Sequence, residues 1–260
     1  MVDYFTDLRG IVMSDLLFSS MIGAGAGIIG TGIGGAIGFI LNRPSKRFLS
    51  MLMGFSAGLM IAVVCFDLLP ESFTIGSLSS GVLGVILGAL AIIICEDLID
   101  RYREVRGIKR AGKSYVETGI LVGLGIALHN FPEGLAIGSG FTALPAYGLG
   151  LSLIIALHDI PEGIAMATPM AAGGLNKFKI FLAAILAGIP TGIGAVIGYL
   201  LGEISPIFIS LCLGFAGGAM LYITCSELIP ESQDLYRGRV SSLSLIMGVI
   251  VGVIILRIVL

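Results

Sequence analysis

Two short stretches carry both histidines of the 260-residue chain, ALHNFPEGLAIGSG at 127–140 and ALHDIPEGIAMATP at 156–169. In each, a glutamate follows the histidine by four residues: Glu133 after His129, and Glu162 after His158. Residues i and i+4 share one face of a helix, so each imidazole points the same way as its carboxylate. Two such helices, antiparallel and face to face, would gather two nitrogen and two carboxylate ligands, a first shell suited to a zinc-like divalent ion. Asn130 and Asp159, next to the histidines, project roughly 100° away and add oxygen ligands for an adjacent position. Either histidine alone has a plainer reading, a core side chain hydrogen-bonded to a carbonyl. The matched second copy argues against it.

The surroundings of these motifs are apolar. The chain is 56% hydrophobic and 12% charged, where a soluble domain carries about 25% charge. Runs of about 20 apolar residues are long enough to cross a bilayer as helices. Eight spans are expected at about 16–41, 48–69, 78–97, 118–142, 148–171, 180–202, 207–229 and 240–260. The fold class is therefore an all-α integral membrane protein, residues 1–260 forming a single transmembrane domain and 98–117 a cytoplasmic loop within it. Residues 1–15 hold Asp3, Asp7 and Arg9 and read as no cleavable signal peptide. The four cysteines all fall in spans and read as small apolar residues rather than a disulfide framework.

Basic residues orient the spans. With both termini outside, the gaps 42–47, 98–117, 172–179 and 230–239 lie inside and hold thirteen Lys and Arg, leaving Arg9 and Arg257 outside. Positive residues stay cytoplasmic, so this topology is expected. Both histidine motifs then sit near the bilayer centre, where a charged side chain costs about 2.5–3.5 kcal/mol on insertion scales. Glu133, Asp159 and Glu162 share that depth with no Lys or Arg nearby in sequence. A cation is the missing partner.

The chain also repeats itself. GFSAGLMIAVVCFDLLPES at 54–72 aligns with GFAGGAMLYITCSELIPES at 214–232, nine of nineteen positions being identical. TGIGGAIGFIL from Thr31 aligns with TGIGAVIGYLL from Thr191 at the same offset of 160. GVILG at 84–88 resembles GVIVG at 248–252. Spans 1–3 thus match spans 6–8 in opposite orientation, around a central antiparallel pair, spans 4 and 5. This is an inverted repeat of the kind that gives a fold two half-similar packings, one open to each side.

Other positions carry weaker signals. Pro132 and Pro161 remove a helical hydrogen bond beside the ligands, which predicts a broken helix like those at transporter sites. The glycine-dense face between Gly23 and Gly38 predicts a surface that slides against its neighbours. Met60 and Met220, repeat partners near midplane, read first as core filler. Asp67 and Glu227 are repeat partners toward opposite faces, either ion-attracting groups at entrance and exit or snorkelled carboxylates at helix ends.

HNFPEG on the fourth span and HDIPEG on the fifth resemble the paired signature of the ZIP (Zrt/Irt-like) metal transporters, prokaryotic type, and the likeness covers essentially the whole chain. It implies import of Zn²⁺, with Fe²⁺, Mn²⁺, Co²⁺ and Cd²⁺ as further substrates, into the cytoplasm. It also implies a two-metal centre on His129, Glu133, His158 and Glu162, with Asn130 and Asp159 serving the second metal, and places Met60 on the metal path. A rigid unit of spans 1, 4, 5 and 6 moving against 2, 3, 7 and 8 is implied too. The chain departs from the family at Thr191, where a glutamate often ligates the second metal, and residues 98–117 lack the histidine-rich loop of many relatives.

The expected function is therefore a cell-membrane, multi-pass transporter of divalent metal ions, zinc first, working by alternating access. It is not an enzyme and needs no cofactor, the metal being substrate. Its surroundings are the lipid bilayer, no nucleic acid is expected, and pairing as a homodimer is compatible with the sequence but not decided by it. The rival of another class is an intramembrane zinc hydrolase using the same ligands. Catalytic zinc keeps three protein ligands and a water, and this chain has no HExxH pair and no third histidine. A metal sensor is a third reading, for which the short gaps offer no signalling domain. Because imidazole must be neutral to bind metal, zinc affinity should fall below about pH 6.5.

Overall fold

The computed structural model describes residues 2–41, 44–105 and 115–259, and every regular element among them is helical. Eight helices are long and apolar enough to cross a membrane. We number them α1 (Val2–Ile40), α2 (Lys46–Ile75), α3 (Leu78–Val105), α4 (Tyr115–Ala143), α5 (Pro145–Ala172), α6 (Lys177–Gly202), α7 (Pro206–Leu235) and α8 (Arg239–Val259). Arg43 and the stretch 106–114 of the basic loop, with Arg106, Lys109, Arg110 and Lys113, lie outside the described residues.

Local chemistry sets the turns. Extended Leu144 is the single residue between α4 and α5, and Pro145 opens α5, where its missing N–H is no loss. So short a link forces the two histidine helices into an antiparallel hairpin. Ser45 accepts the Phe48 N–H at 3.2 Å to cap α2, and Asn176 accepts the Lys179 N–H at 2.8 Å to cap α6. Between α5 and α6, Gly174 takes φ 82°, a left-handed turn that L side chains rarely adopt.

Three helices run well past their expected C-terminal ends: α3 continues to Val105, through the first eight residues of the expected 98–117 loop, and α2 and α7 each pass a proline. The second and seventh spans were expected to stop at 69 and 229, before Pro70 and Pro230, yet α2 runs to Ile75 and α7 to Leu235. Each contains a π-helical turn, Val64–Leu68 in α2 and Thr224–Leu228 in α7. The Leu69 N–H bonds the carbonyl five residues back, at Val64. Each proline then falls in the first turn of a new α segment, where no N–H is required. The central prolines behave differently from expectation as well. Pro132 and Pro161 lie inside continuous helices, so neither α4 nor α5 is broken.

Glycine lets the helices touch backbone to backbone. A side chain at Gly34 of α1 would run into the Ile160 carbonyl of α5, and one at Gly194 of α6 into the Phe131 carbonyl of α4. Gly58 of α2 abuts the Leu245 carbonyl of α8, as Gly218 of α7 abuts the Val85 carbonyl of α3. Gly58 and Gly218 lie 160 positions apart, as do Val85 and Leu245 whose carbonyls they meet, and Gly88 and Gly248 likewise meet the carbonyls of Phe215 and Phe55; the offset expected from aligning GVILG with GVIVG is one helical turn longer. The glycine face of α1, expected to slide, is packed closely against α5 and α6 in this structure, and Gly192 presses on Ala24. Among the described glycines, the nearest atoms that lie within 3.4 Å of an added Cβ belong to the same four helices for those of α1, α4, α5 and α6, and to the other four for those of α2, α3, α7 and α8.

Hydroxyls tie α2 to α7 at both ends. Ser50 donates to the Ser232 carbonyl and Ser232 to the Ser50 carbonyl, both at 2.7 Å, and Ser72 donates to the Ser210 carbonyl at 2.8 Å. Between these ties lies the main core, with Met60, Val64, Leu151, Ile154, Ile155 and Met220 all fully buried.

Candidate metal centre

α4 and α5 bring the two motifs together by crossing their pairs. His129 Nε2 lies 2.5 Å from Glu162 Oε2, and His158 Nε2 lies 2.7 Å from Glu133 Oε1. Each histidine thus faces the glutamate of the other helix. Asp159 Oδ1 is 3.5 Å from His158 Nε2, and Glu133, His158 and Asp159 offer ligand atoms within 4.8 Å of one another. All six motif residues are buried, none more than 3% exposed.

Their valences are far from filled. Glu133 Oε2, Glu162 Oε1, both Asp159 oxygens, Asn130 Oδ1 and the Nδ1 atoms of both histidines take no hydrogen bond among the described residues. The ion-pair partners of the three carboxylates there are the two imidazoles alone. Unpaired buried charge is expensive. A divalent cation relieves that cost for several carboxylates at once, and the mix of imidazole nitrogen and carboxylate oxygen suits zinc and its first-row neighbours. The same mix disfavours Cu(I), which wants sulfur, and Ca²⁺, which wants an all-oxygen shell.

The flanking residues differ in role. Asn130 Nδ2 donates to the Ala187 carbonyl of α6 at 2.8 Å, turning that side chain toward α6. Thr191, one turn on from Ala187, is fully buried, its hydroxyl unpartnered among the described residues and packed where Gly27 of α1 leaves room. Ser56 of α2 donates to the His158 carbonyl at 3.3 Å, a contact sequence reading missed because a lone serine carries no periodic signal.

Two cavities approach from opposite ends. The deeper, about 700 Å³, reaches His129 and Glu162 and is walled by Glu96, Glu227, Glu231 and Asp234, with Lys46 also lining it. The smaller, about 520 Å³, holds Asp67, Glu71 and Tyr147 and touches none of the six motif residues. Along α5 the eleven helical steps from Tyr147 to His158 span about 16 Å, filled by buried Leu151, Ile154 and Ile155. Of the pathway residues expected from sequence, Asp67 lines the small cavity and Glu227 the deep one. Met60 lines neither and lies in the intervening core, its sulfur accepting the Thr224 hydroxyl at 3.7 Å.

Comparison with known proteins fits this geometry. The family model described as ZIP Zinc transporter matches residues 106–259. The chain belongs to the ZIP family. It is 36% identical over 172 residues to the zinc transporter GufA of Myxococcus xanthus, covering 66% of this chain and 68% of that protein. It is 31% identical over 239 residues to the zinc transporter ZupT of Chlorobium limicola, covering 85% and 90%. With ZupT of Streptococcus mutans it shares 32% identity over 266 residues, covering 95% and 98%. ZIP proteins are transporters and not enzymes, which sets the hydrolase reading aside, and multi-pass membrane residence follows from the family and the eight apolar helices together.

Proposed function

We propose that this ZIP chain imports divalent metal ions into the cytoplasm, zinc first and Fe²⁺, Mn²⁺, Co²⁺ and Cd²⁺ as further substrates, through the centre between α4 and α5. His129, Glu133, His158, Asp159 and Glu162 are its ligands, with Asn130 and Thr191 at the α6 side. The single observation that carries this reading is the crossed pairing of two imidazoles and two glutamates, buried where a cavity of about 700 Å³ reaches His129 and Glu162.

Direction follows from charge. The deep cavity opens at the end where Lys46 and Asp234 lie, the end bearing most of the basic gaps, which stay cytoplasmic. Both termini are then outside, and this conformation is open inward, with the packed layer between Tyr147 and His158 closing the outer path. A metal held by the crossed pairs exchanges with the cytoplasm from here. Loading from outside requires the other packing.

The fold offers that alternative through its repeat. Contacts recurring 160 positions apart support a pseudo-twofold relation between α1–α3 and α6–α8. Glycine contacts confined to two sets of four helices support α1, α4, α5 and α6 moving as one body against α2, α3, α7 and α8. Alternating access then carries the centre past a wall anchored by the serine ties of α2 and α7.

The test is uptake of radiolabelled zinc into liposomes holding the purified protein, with His129→Ala and His158→Ala as controls. Import above protein-free liposomes, lost in both variants, is the expected result. Uptake that both variants retain would remove the centre from the pathway.

A further inference from the structure

We propose that Ser56 is a latch that biases this chain toward the inward-open packing, through a hydrogen bond that the other half of the repeat cannot make. The inference rests on the alternating-access reading above. Ser56 lies fully buried on α2 and donates to the backbone carbonyl of His158 on α5 at 3.3 Å. That bond crosses from one four-helix set to the other and ends on a residue of the metal centre. Eleven residues further along α2, and eleven back along α5, the Asp67 carboxylate and the Tyr147 hydroxyl are hydrogen-bonded to each other. Two bonds about three helical turns apart thus hold α2 and α5 in one antiparallel register, with buried Leu151, Ile154 and Ile155 between them. By contrast, the serine ties of α2 to α7, the bond from Tyr222 of α7 to Glu96 of α3 at 2.9 Å, and the crossed pairs of α4 and α5 each stay within one set. Movement of one set past the other leaves all of those intact and must break the bonds between α2 and α5.

The repeat supplies the comparison. In the alignment of GFSAGLM at 54–60 with GFAGGAM at 214–220, Ser56 falls on Ala216, and the paired motifs place His158 on His129. In the other packing, related by the pseudo-twofold, α7 closes on α4 as α2 closes on α5 here. Ala216 then takes the place of Ser56 against the His129 carbonyl, and a methyl group donates nothing. The outer closure carries a hydrogen bond that the inner closure lacks. One net hydrogen bond changes an equilibrium constant about fivefold, so the metal-free chain favours the inward-open state by about that factor over a repeat with matched halves.

Hydrogen–deuterium exchange of the purified, zinc-free, full-length protein reads both closures. Opening the outer closure speeds exchange in 57–67 of α2 and 147–157 of α5, and forming the inner one slows it in 217–227 of α7 and 118–128 of α4. Ser56→Ala should produce both changes, shifting the balance about fivefold. Ala216→Ser, which alters only the other half of the repeat, should shift it the same way by supplying the missing donor. In the present packing its hydroxyl can bond back to the carbonyl four residues earlier, at Cys212, so the variant keeps its fold. Combined, the two should shift the balance about 25-fold, as independent sites do. A serine that only packs would, on removal, speed exchange around itself and slow it nowhere, and that result would overturn the proposal. So would an Ala216→Ser protein whose outer halves of α2 and α5 exchange like wild type. The readout needs no metal flux: reciprocal shifts in a protein that imports no zinc uphold the latch and count against the import reading, whereas zinc uptake with unshifted exchange overturns the latch alone.

Discussion

His129 on α4 meets Glu162 on α5 at 2.5 Å, and His158 on α5 meets Glu133 on α4 at 2.7 Å. Neither histidine is hydrogen-bonded to the glutamate of its own motif. The two helices are consequently joined at their most charged residues, and each pair is complete only while α4 and α5 keep their register. Under the proposed function, a metal entering between the pairs would exchange two imidazole–carboxylate hydrogen bonds for coordination bonds and leave the helices linked.

Crossed pairing makes the ligands interdependent. His129→Ala should weaken zinc binding by more than the ~10–100-fold that loss of an outer partner costs. Glu162→Gln should do the same, and the double variant should be little worse than either, since the residues act as one unit. Isothermal titration of the purified proteins reads this directly. Additive losses would mean the two side chains bind metal separately.

With zinc at the crossed pairs, as proposed, protons compete with it for the same lone pairs. Lowering the pH protonates imidazole and carboxylate, and a protonated ligand cannot coordinate, so affinity must fall as pH falls and binding must release protons. Titrations from about pH 7.5 to 5.5, bracketing the reference imidazole value near 6.5, should show weakening toward acid. Repeating them in buffers of different ionisation enthalpy counts the released protons. Constant affinity over that range would exclude the histidines.

The site was more legible in the sequence than its frame. His129, Glu133, His158 and Glu162 announce themselves because the four-residue spacing maps directly onto one helix face, and their meeting needed only the antiparallel hairpin that the one-residue link at Leu144 imposes. The ends of α2 and α7 were hidden, because a π-helical turn leaves no mark on hydropathy and Pro70 and Pro230 look like stops. The alignment of GVILG with GVIVG differs by four residues from the offset at which the glycine contacts of α3 and α8 recur, because GxxxG motifs repeat near the helical pitch and a one-turn shift preserves the pattern. Tyr147 was missed altogether, a lone aromatic at a helix start whose place beside Asp67 in the smaller cavity is visible only in three dimensions.

Thr191 stands where relatives often carry a glutamate, and its hydroxyl is buried without a partner among the described residues. If it holds no metal, Thr191→Val should leave the tight zinc stoichiometry at the centre unchanged. It should also raise stability by up to about 1 kcal/mol, since an unsatisfied buried hydroxyl is replaced by a methyl group. Titration calorimetry and thermal unfolding together check this. Loss of a binding event in the valine variant would instead make the hydroxyl a ligand of a second ion.

The glycine crossings predict a pattern of damage that composition alone would not. An added methyl at Gly134 would enter the Thr191 carbonyl, and one at Gly163 the Thr31 carbonyl, so either alanine variant must push two helix backbones apart. Each should cost about 1–3 kcal/mol, the range for overpacking a close-packed interior. Gly58→Ala and Gly218→Ala, whose contacts correspond 160 positions apart, should cost alike. Gly32→Ala should be harmless or slightly stabilising. Its methyl would meet nothing closer than Phe181 at 3.8 Å, and alanine gains up to about 1 kcal/mol over glycine within a helix. Thermal unfolding in detergent, followed by helical signal, ranks the five variants. A Gly32→Ala variant as damaged as Gly134→Ala would mean that α1 is held by its glycines in general and not by the few that meet a carbonyl.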